Sequence, residues 1–191
     1  VQRESILDQA LNLLEQQGLA SNSLERLTEI TKIPLSDLSS FWPDNEALLY
    51  DALRYHAQQV DIWHRQRLLD ESLSPQQKLL ARYERIAEQV QNGRYPGCLF
   101  IAACNFFPDI EHPIHQLAEQ QKRASYQYTL SLLDELESDD SELVATQMEL
   151  ILEGCLSKLL VKHQLQDVSA AKRLAEDVLQ ISQCRKNGAL G

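Results

Sequence analysis

The residues best equipped for chemistry in this chain are five histidines, four cysteines and a surplus of carboxylates. His112 and His115 stand three apart, a spacing at which two imidazoles can share a metal ion. Pro113 lies between them, however, and no cysteine or carboxylate completes a ligand set at suitable spacing, so the pair reads as structural. His56 and His64 are eight residues apart, roughly two helical turns, too far to chelate one ion directly. Cys98, Cys104, Cys155 and Cys184 contain no C-x-x-C pair and sit in apolar or helical surroundings. They read as reduced core thiols, with a redox sensor as the minority alternative, and a reducing cytoplasm suits them. The carboxylates read as solvated helix faces. No two are placed as an acid/base couple, and no glycine-rich phosphate loop occurs. The expectation is therefore no metal, no cofactor and no enzyme activity.

A second set of polar residues is more telling. Ser23, Arg26, Lys32, Ser36, Ser39, Ser40 and Asn45 fall in one short stretch near the N-terminus. The elements that must position them follow from periodicity. Ile6, Ala10, Leu13 and Leu14 share a helical face over 4–17, and Gly18 stops that helix. The Ser21-Asn22-Ser23 cluster can cap a second helix carrying Leu24, Leu27 and Ile30. Ile33-Pro34 breaks it, because a residue before proline avoids the α region. A short helix over 35–41 follows, with Leu38 and Phe41 expected inward. Asp44 can cap a long helix from about 45 to 70, whose stripe is Leu48, Leu49, Ala52, Leu53, Ala57, Val60 and Trp63.

Further helices are expected over about 75–91, 98–107, 114–137, 141–163 and 169–184, giving about nine in an all-α chain with no strand. The 98–107 segment is apolar on every side and is expected to be buried all round. Six glycines and six prolines in 191 residues, with 43% apolar residues, suit a helical fold with a sizeable core. Charges in the first turn (Arg3, Glu4, Asp8) are incompatible with an apolar signal-peptide core, and no apolar run reaches the ~17–25 residues needed to cross a bilayer. No membrane association is expected.

Residues 24–38 satisfy the demands of a helix-turn-helix. Leu27, Ile30, Ile33 and Leu38 are expected to face the bundle, Thr28 supplies a small residue at the crossing, and Thr31–Pro34 forms a short turn. Residues 4–50 resemble the N-terminal domain of TetR-family regulators. The resemblance is carried by the Lys32-Ile33-Pro34 turn, the 35–41 helix and the run Phe41-Trp42-Pro43-Asp44-Asn45-Glu46-Ala47-Leu48-Leu49. Tyr95-Pro96-Gly97-Cys98-Leu99-Phe100 is similar to a pattern in the body of some members, and the body as a whole is similar to the YjdC-type subgroup.

The resemblance implies an all-α protein with a three-helix helix-turn-helix DNA-binding domain (1–46), a helical effector-binding and dimerisation domain (47–185) and a frayed tail (186–191). It implies a regulator, a repressor by expectation, that binds a palindromic double-stranded DNA operator as a homodimer. An unknown small-molecule effector in the body changes the spacing of the two heads. The DNA-contacting set it implies is Ser23, Arg26, Lys32, Leu35, Ser36, Asp37, Ser39, Ser40, Trp42 and Asn45. The implied effector pocket is drawn from Trp63, Tyr83, Phe100, Cys104, Phe107 and Tyr126. The implied dimer surface comprises Leu143, Gln147, Leu150, Gly154, Ser157 and Val161, with Val178 and Ile181.

This chain departs from the family pattern at four positions of the head. Lys32 replaces the usual turn glycine, Pro34 the usual serine cap, Ser39 a phosphate-contacting tyrosine and Asn45 a lysine. Residues 1–50 hold three basic side chains (Arg3, Arg26, Lys32) against eight acidic ones, a balance of −5 within a chain of net charge −10. DNA affinity normally rests on phosphate neutralisation. The acidic head therefore keeps a second reading open, a helical protein-interaction module whose helix-turn-helix no longer binds DNA.

Overall fold

The computed structural model describes residues 2–94 and 97–188, apart from the side chain of Gln2. Tyr95 and Pro96 of the expected body motif lie outside the described residues, as does 189–191 of the expected tail. The described residues form nine α-helices, one 3-10 turn and no strand. The helices are α1 (Gln2–Gln17), α2 (Leu24–Thr31), α3 (Leu35–Phe41), α4 (Asn45–Leu69), α5 (Pro75–Gln91), α6 (Leu99–Phe106), α7 (Pro113–Glu135), α8 (Ser141–Val161) and α9 (Leu165–Lys186). None is long and apolar enough to cross a membrane.

The chain divides into two compact units, 1–63 with 99–121 and 64–98 with 122–191. In the first, Ile6, Ala10, Leu11 and Leu14 of α1, Leu27 of α2, Leu38 of α3 and Leu48, Ala52 and Leu53 of α4 are all buried. The Leu19–Ser21 turn packs on α6, and Phe100 of α6 stacks on His56 of α4 with ring centroids 5.2 Å apart.

In the second unit, α9 lies against both α5 and α8. Leu79, Tyr83, Leu132, Leu133, Ala145, Met148, Leu159 and Ala175 close one core. Inside it sits a charged cluster. Arg82 reaches Glu149 at 2.8 Å and Thr129 Oγ1 at 2.8 Å, while Ser125 Oγ donates to Glu149 at 2.7 Å. Burial drives the Glu149 carboxyl upward, but the Arg82 charge and the hydroxyls of Thr129 and Ser125 outweigh it, leaving the group below its ordinary range.

Four expectations are corrected. Ile30, expected inward, is 45% exposed. Leu24, Leu27, Thr28 and Thr31 define the inner face of α2, and Ile30 sits about 100° around from its centre. Phe41, expected inward, is 41% exposed. Helix α6 buries only Leu99, Phe100 and Ala103, and Phe106 is exposed, so its all-round hydrophobicity does not mean all-round burial. Helix α9 begins at Leu165, four residues before the expected start, and runs on to Lys186. Lys186 pairs with Glu137 at 2.8 Å, which anchors the start of the segment expected to fray.

Candidate nucleic-acid interface

Helix α2 begins where Ser23, in extended conformation, accepts the Arg26 N–H. It ends where Lys32 adopts a left-handed conformation (φ 62°) and its N–H returns to the Thr28 carbonyl. That conformation is normally left to glycine, and a side chain there costs about 1–2 kcal/mol. We therefore expect Lys32→Gly to raise the stability of the chain by about 1 kcal/mol, read by denaturant unfolding. Helix α3 is preceded by Pro34, which offers no side-chain cap. It is held by Leu38, fully buried, and ends as the backbone turns extended at Trp42.

Trp42 corrects the expected DNA-contacting set. The extended turn folds the indole inward to 2% exposure, and its Nε1–H donates to Asp51 Oδ2 at 2.9 Å. It positions α3 and is not available at the surface. Asp51 also accepts from Arg3 (2.7 Å) and Arg54 (2.8 Å), tying α1, α4 and the end of α3 to one carboxylate. No motif in the sequence marks Asp51 or Arg54, and Arg3 counts there only as one of three basic groups. The signal was a carboxylate inside the apolar stripe of α4, three residues after Leu48 and beside Ala52 and Leu53.

A second strap joins the start of α4 to the start of α2. Asn45 Oδ1 accepts the Leu24 N–H at 2.8 Å, and Asn22 Nδ2 donates to the Asn45 carbonyl at 2.5 Å. Asp44 caps α4 by accepting the Ala47 N–H. A groove of about 440 Å³ opens beside the Asp51 cluster, lined by Arg3, Phe41, Tyr50 and Ile114 among others. Its carboxylates are committed, Asp51 and Asp44 as above and Glu46 to His112 at 3.4 Å.

What remains on the surface is the outer side of α3. Ser36 and Ser40 point opposite Leu38, Asp37 and Ser39 flank them, and Leu35 is also exposed. Of the three basic groups, Arg3 is held by Asp51, and Arg26 contacts Gln17 (3.2 Å) and Glu29 (3.4 Å). Lys32 is exposed at the turn and makes no ion pair among the described residues.

The expected pocket residues do not come together in one unit. Trp63, Phe100, Cys104 and Phe107 belong to the first, whereas Tyr83 and Tyr126 belong to the second unit's core and its margin. Of the expected dimer residues, Leu143, Leu150, Gly154, Ser157, Val161 and Ile181 are exposed, Gln147 is half-buried, and Val178 packs against the core. His112 accepts the Ile114 N–H and stacks on Phe107, and His115 lies 2.7 Å from the Phe107 carbonyl. Among the described residues no three histidine, cysteine or acidic side chains gather to hold a metal ion.

No family model matches the chain. It is 58% identical to the HTH-type transcriptional regulator YjdC of Escherichia coli K12 and to that of Shigella flexneri, over the whole length of each chain. Its fold is that of a TetR transcriptional regulator from Legionella pneumophila (TM-score 0.83, 16% identity, covering 93% of this chain and 96% of that one). A TetR-family regulator from Streptomyces coelicolor superposes similarly (TM-score 0.82, 16% identity, covering 94% and 89%). A helix-turn-helix head with its hydroxyl-rich helix turned outward, joined to a helical body and shared along its full length with YjdC, identifies the chain: it belongs with YjdC to the helix-turn-helix transcriptional regulators built on the TetR-family fold.

Proposed function

We propose that this chain is a cytoplasmic repressor that binds a palindromic operator as a homodimer and releases it when a small molecule occupies its body. In this proposal residues 1–46 are the DNA-binding domain and 47–185 the effector-binding and dimerisation domain. The observation that carries the reading is the outward face of α3. A seven-residue helix anchored by one buried leucine and a buried tryptophan presents Ser36, Asp37, Ser39 and Ser40 to solvent. Hydroxyls, backbone N–H groups and Lys32 then supply the contacts, and affinity leans little on counterion release.

Dimerisation is supported by an apolar stripe on α8 and α9. Leu143, Gln147, Leu150, Gly154, Ser157 and Val161 recur at alternating steps of four and three, the period of a helix-packing seam. Leu150 and Val161 are 64% and 81% exposed, and on α9 Leu174 and Ile181 are exposed as well. A Cβ at Gly154 would meet nothing within 4 Å, so a partner helix can approach closely there. Covering such side chains is worth roughly 1.5–3 kcal/mol each.

The test is the double substitution Leu150→Glu/Val161→Glu. Sedimentation should show a monomer in place of a dimer. Binding to an operator duplex should weaken by roughly 100-fold or more, because one head alone loses the avidity of two. An unchanged sedimentation coefficient would reject this face as the interface. The second reading, a head that docks on a protein, is favoured by the −5 charge balance and by the engagement of Arg3 and Arg26 within their own unit. It predicts no sequence-selective retention of DNA.

A further inference from the structure

We infer that Asp37 is a specificity-determining residue that selects cytosine at one fixed position in each operator half-site. The inference rests on the DNA-binding reading above and deepens it. Asp37 is the only charged side chain on α3, and it is exposed on the flank of the outer face, next to Ser36. One carboxylate oxygen accepts from Ser36 Oγ at 3.3 Å, and among the described residues the other shows no hydrogen-bond partner.

An ionised carboxylate can only accept hydrogen bonds. Against phosphate it is repelled, so it cannot serve as a backbone-positioning contact. In the major groove the donors are the exocyclic amino groups of cytosine and adenine. Adenine sets its N7 acceptor beside N6, which opposes the carboxylate's second oxygen. Cytosine offers N4 with no such acceptor on the same base. Guanine and thymine present acceptors there, which would leave the carboxylate desolvated and unpaired. The rest of the outer face offers serine hydroxyls, which donate or accept and discriminate weakly. The single acceptor-only group thus carries the sharpest preference on the helix.

The experiment is selection from a randomised duplex pool with the full wild-type chain and with Asp37→Asn and Asp37→Ala. Their fold is checked by circular-dichroism melting, since an exposed residue should leave it intact. Wild-type sites should carry cytosine at one position per half-site, and changing that base to thymine should weaken binding by roughly 5- to 150-fold. Asp37→Asn should move the preference at that position alone to adenine, whose N6 and N7 match a carboxamide. Asp37→Ala should lose the preference there while keeping the rest of the motif. If all three proteins select one motif and differ only by a uniform change in affinity, Asp37 merely tunes the start of α3 and the inference is overturned. If the wild type enriches no sequence, both the inference and the DNA-binding reading fall together.

Discussion

Replacing Glu149 by leucine should lower the unfolding free energy by about 3–5 kcal/mol, because it strands a buried guanidinium. Arg82 is 5% exposed, and its Nη1 and Nη2 are spent on Glu149, Ser125 and Thr129. Its Nε already lacks a partner, and its guanidinium carbon lies 5.6 Å from the Tyr128 ring centroid. With the carboxylate gone, the guanidinium keeps only the neutral hydroxyls of Ser125 and Thr129 from this cluster. Removing both partners, as Arg82→Met/Glu149→Leu, should restore most of the loss, since an apolar pair of similar volume fills the site without a desolvation cost. Denaturant unfolding of the four proteins closes the cycle. Two single losses that simply add in the double variant would contradict a direct pair.

The same region should contribute to the loss of stability in acid. His64 is stacked on Tyr128 at 4.0 Å, and burial, aided by the charges of Arg82 and Arg85, depresses its pKa from 6.5 to about 3. The unfolded chain takes up a proton there as the pH falls below 6.5, whereas the folded chain resists until about 3. Stability from this group is therefore complete above 6.5 and is lost across that window. Glu149, whose folded pKa is lowered, adds a second loss beginning below its ordinary carboxylate range. His64→Phe, which can keep the stack, should flatten the upper part of the pH profile.

The second large effect is expected at Asp51. Asp51→Ala should destabilise the first unit by about 2–3 kcal/mol, mainly by leaving the buried Trp42 N–H unsatisfied. Arg3 and Arg54 are about half exposed and can return to water, so their pairs add less. The functional loss should exceed the stability loss, because Trp42 anchors the end of α3 and a loosened α3 presents no fixed face. Asp51→Asn keeps an acceptor for the indole and should recover roughly half of the stability. DNA binding that survives Asp51→Ala at full strength would separate α3 positioning from this carboxylate.

Much of the architecture could be read from residue patterns. Ser23, Gly18, Asp44 and Pro75 mark helix ends through local chemistry, and local chemistry survives folding. The heptad-like stripe on α8 was visible for the same reason. The failures share a different cause. Ile30 and Phe41 are apolar residues on short helices, where one residue of rotation decides between core and surface. Trp42 follows the helix end, so its direction depends on the turn and on a distant acceptor at Asp51. The Arg82–Glu149 pair spans 67 residues of sequence, and only the presence of each charge inside an apolar stripe hinted at burial. Pairing between distant segments is a property of the packed fold, not of either segment.

The most direct test is to pass fragmented genomic DNA over the immobilised full-length protein and sequence what it retains. A twofold-symmetric motif, with half-sites centred about one helical turn or a whole multiple apart, is the predicted result. Retained fragments that match the input pool, under salt low enough to preserve weak binding, would contradict it.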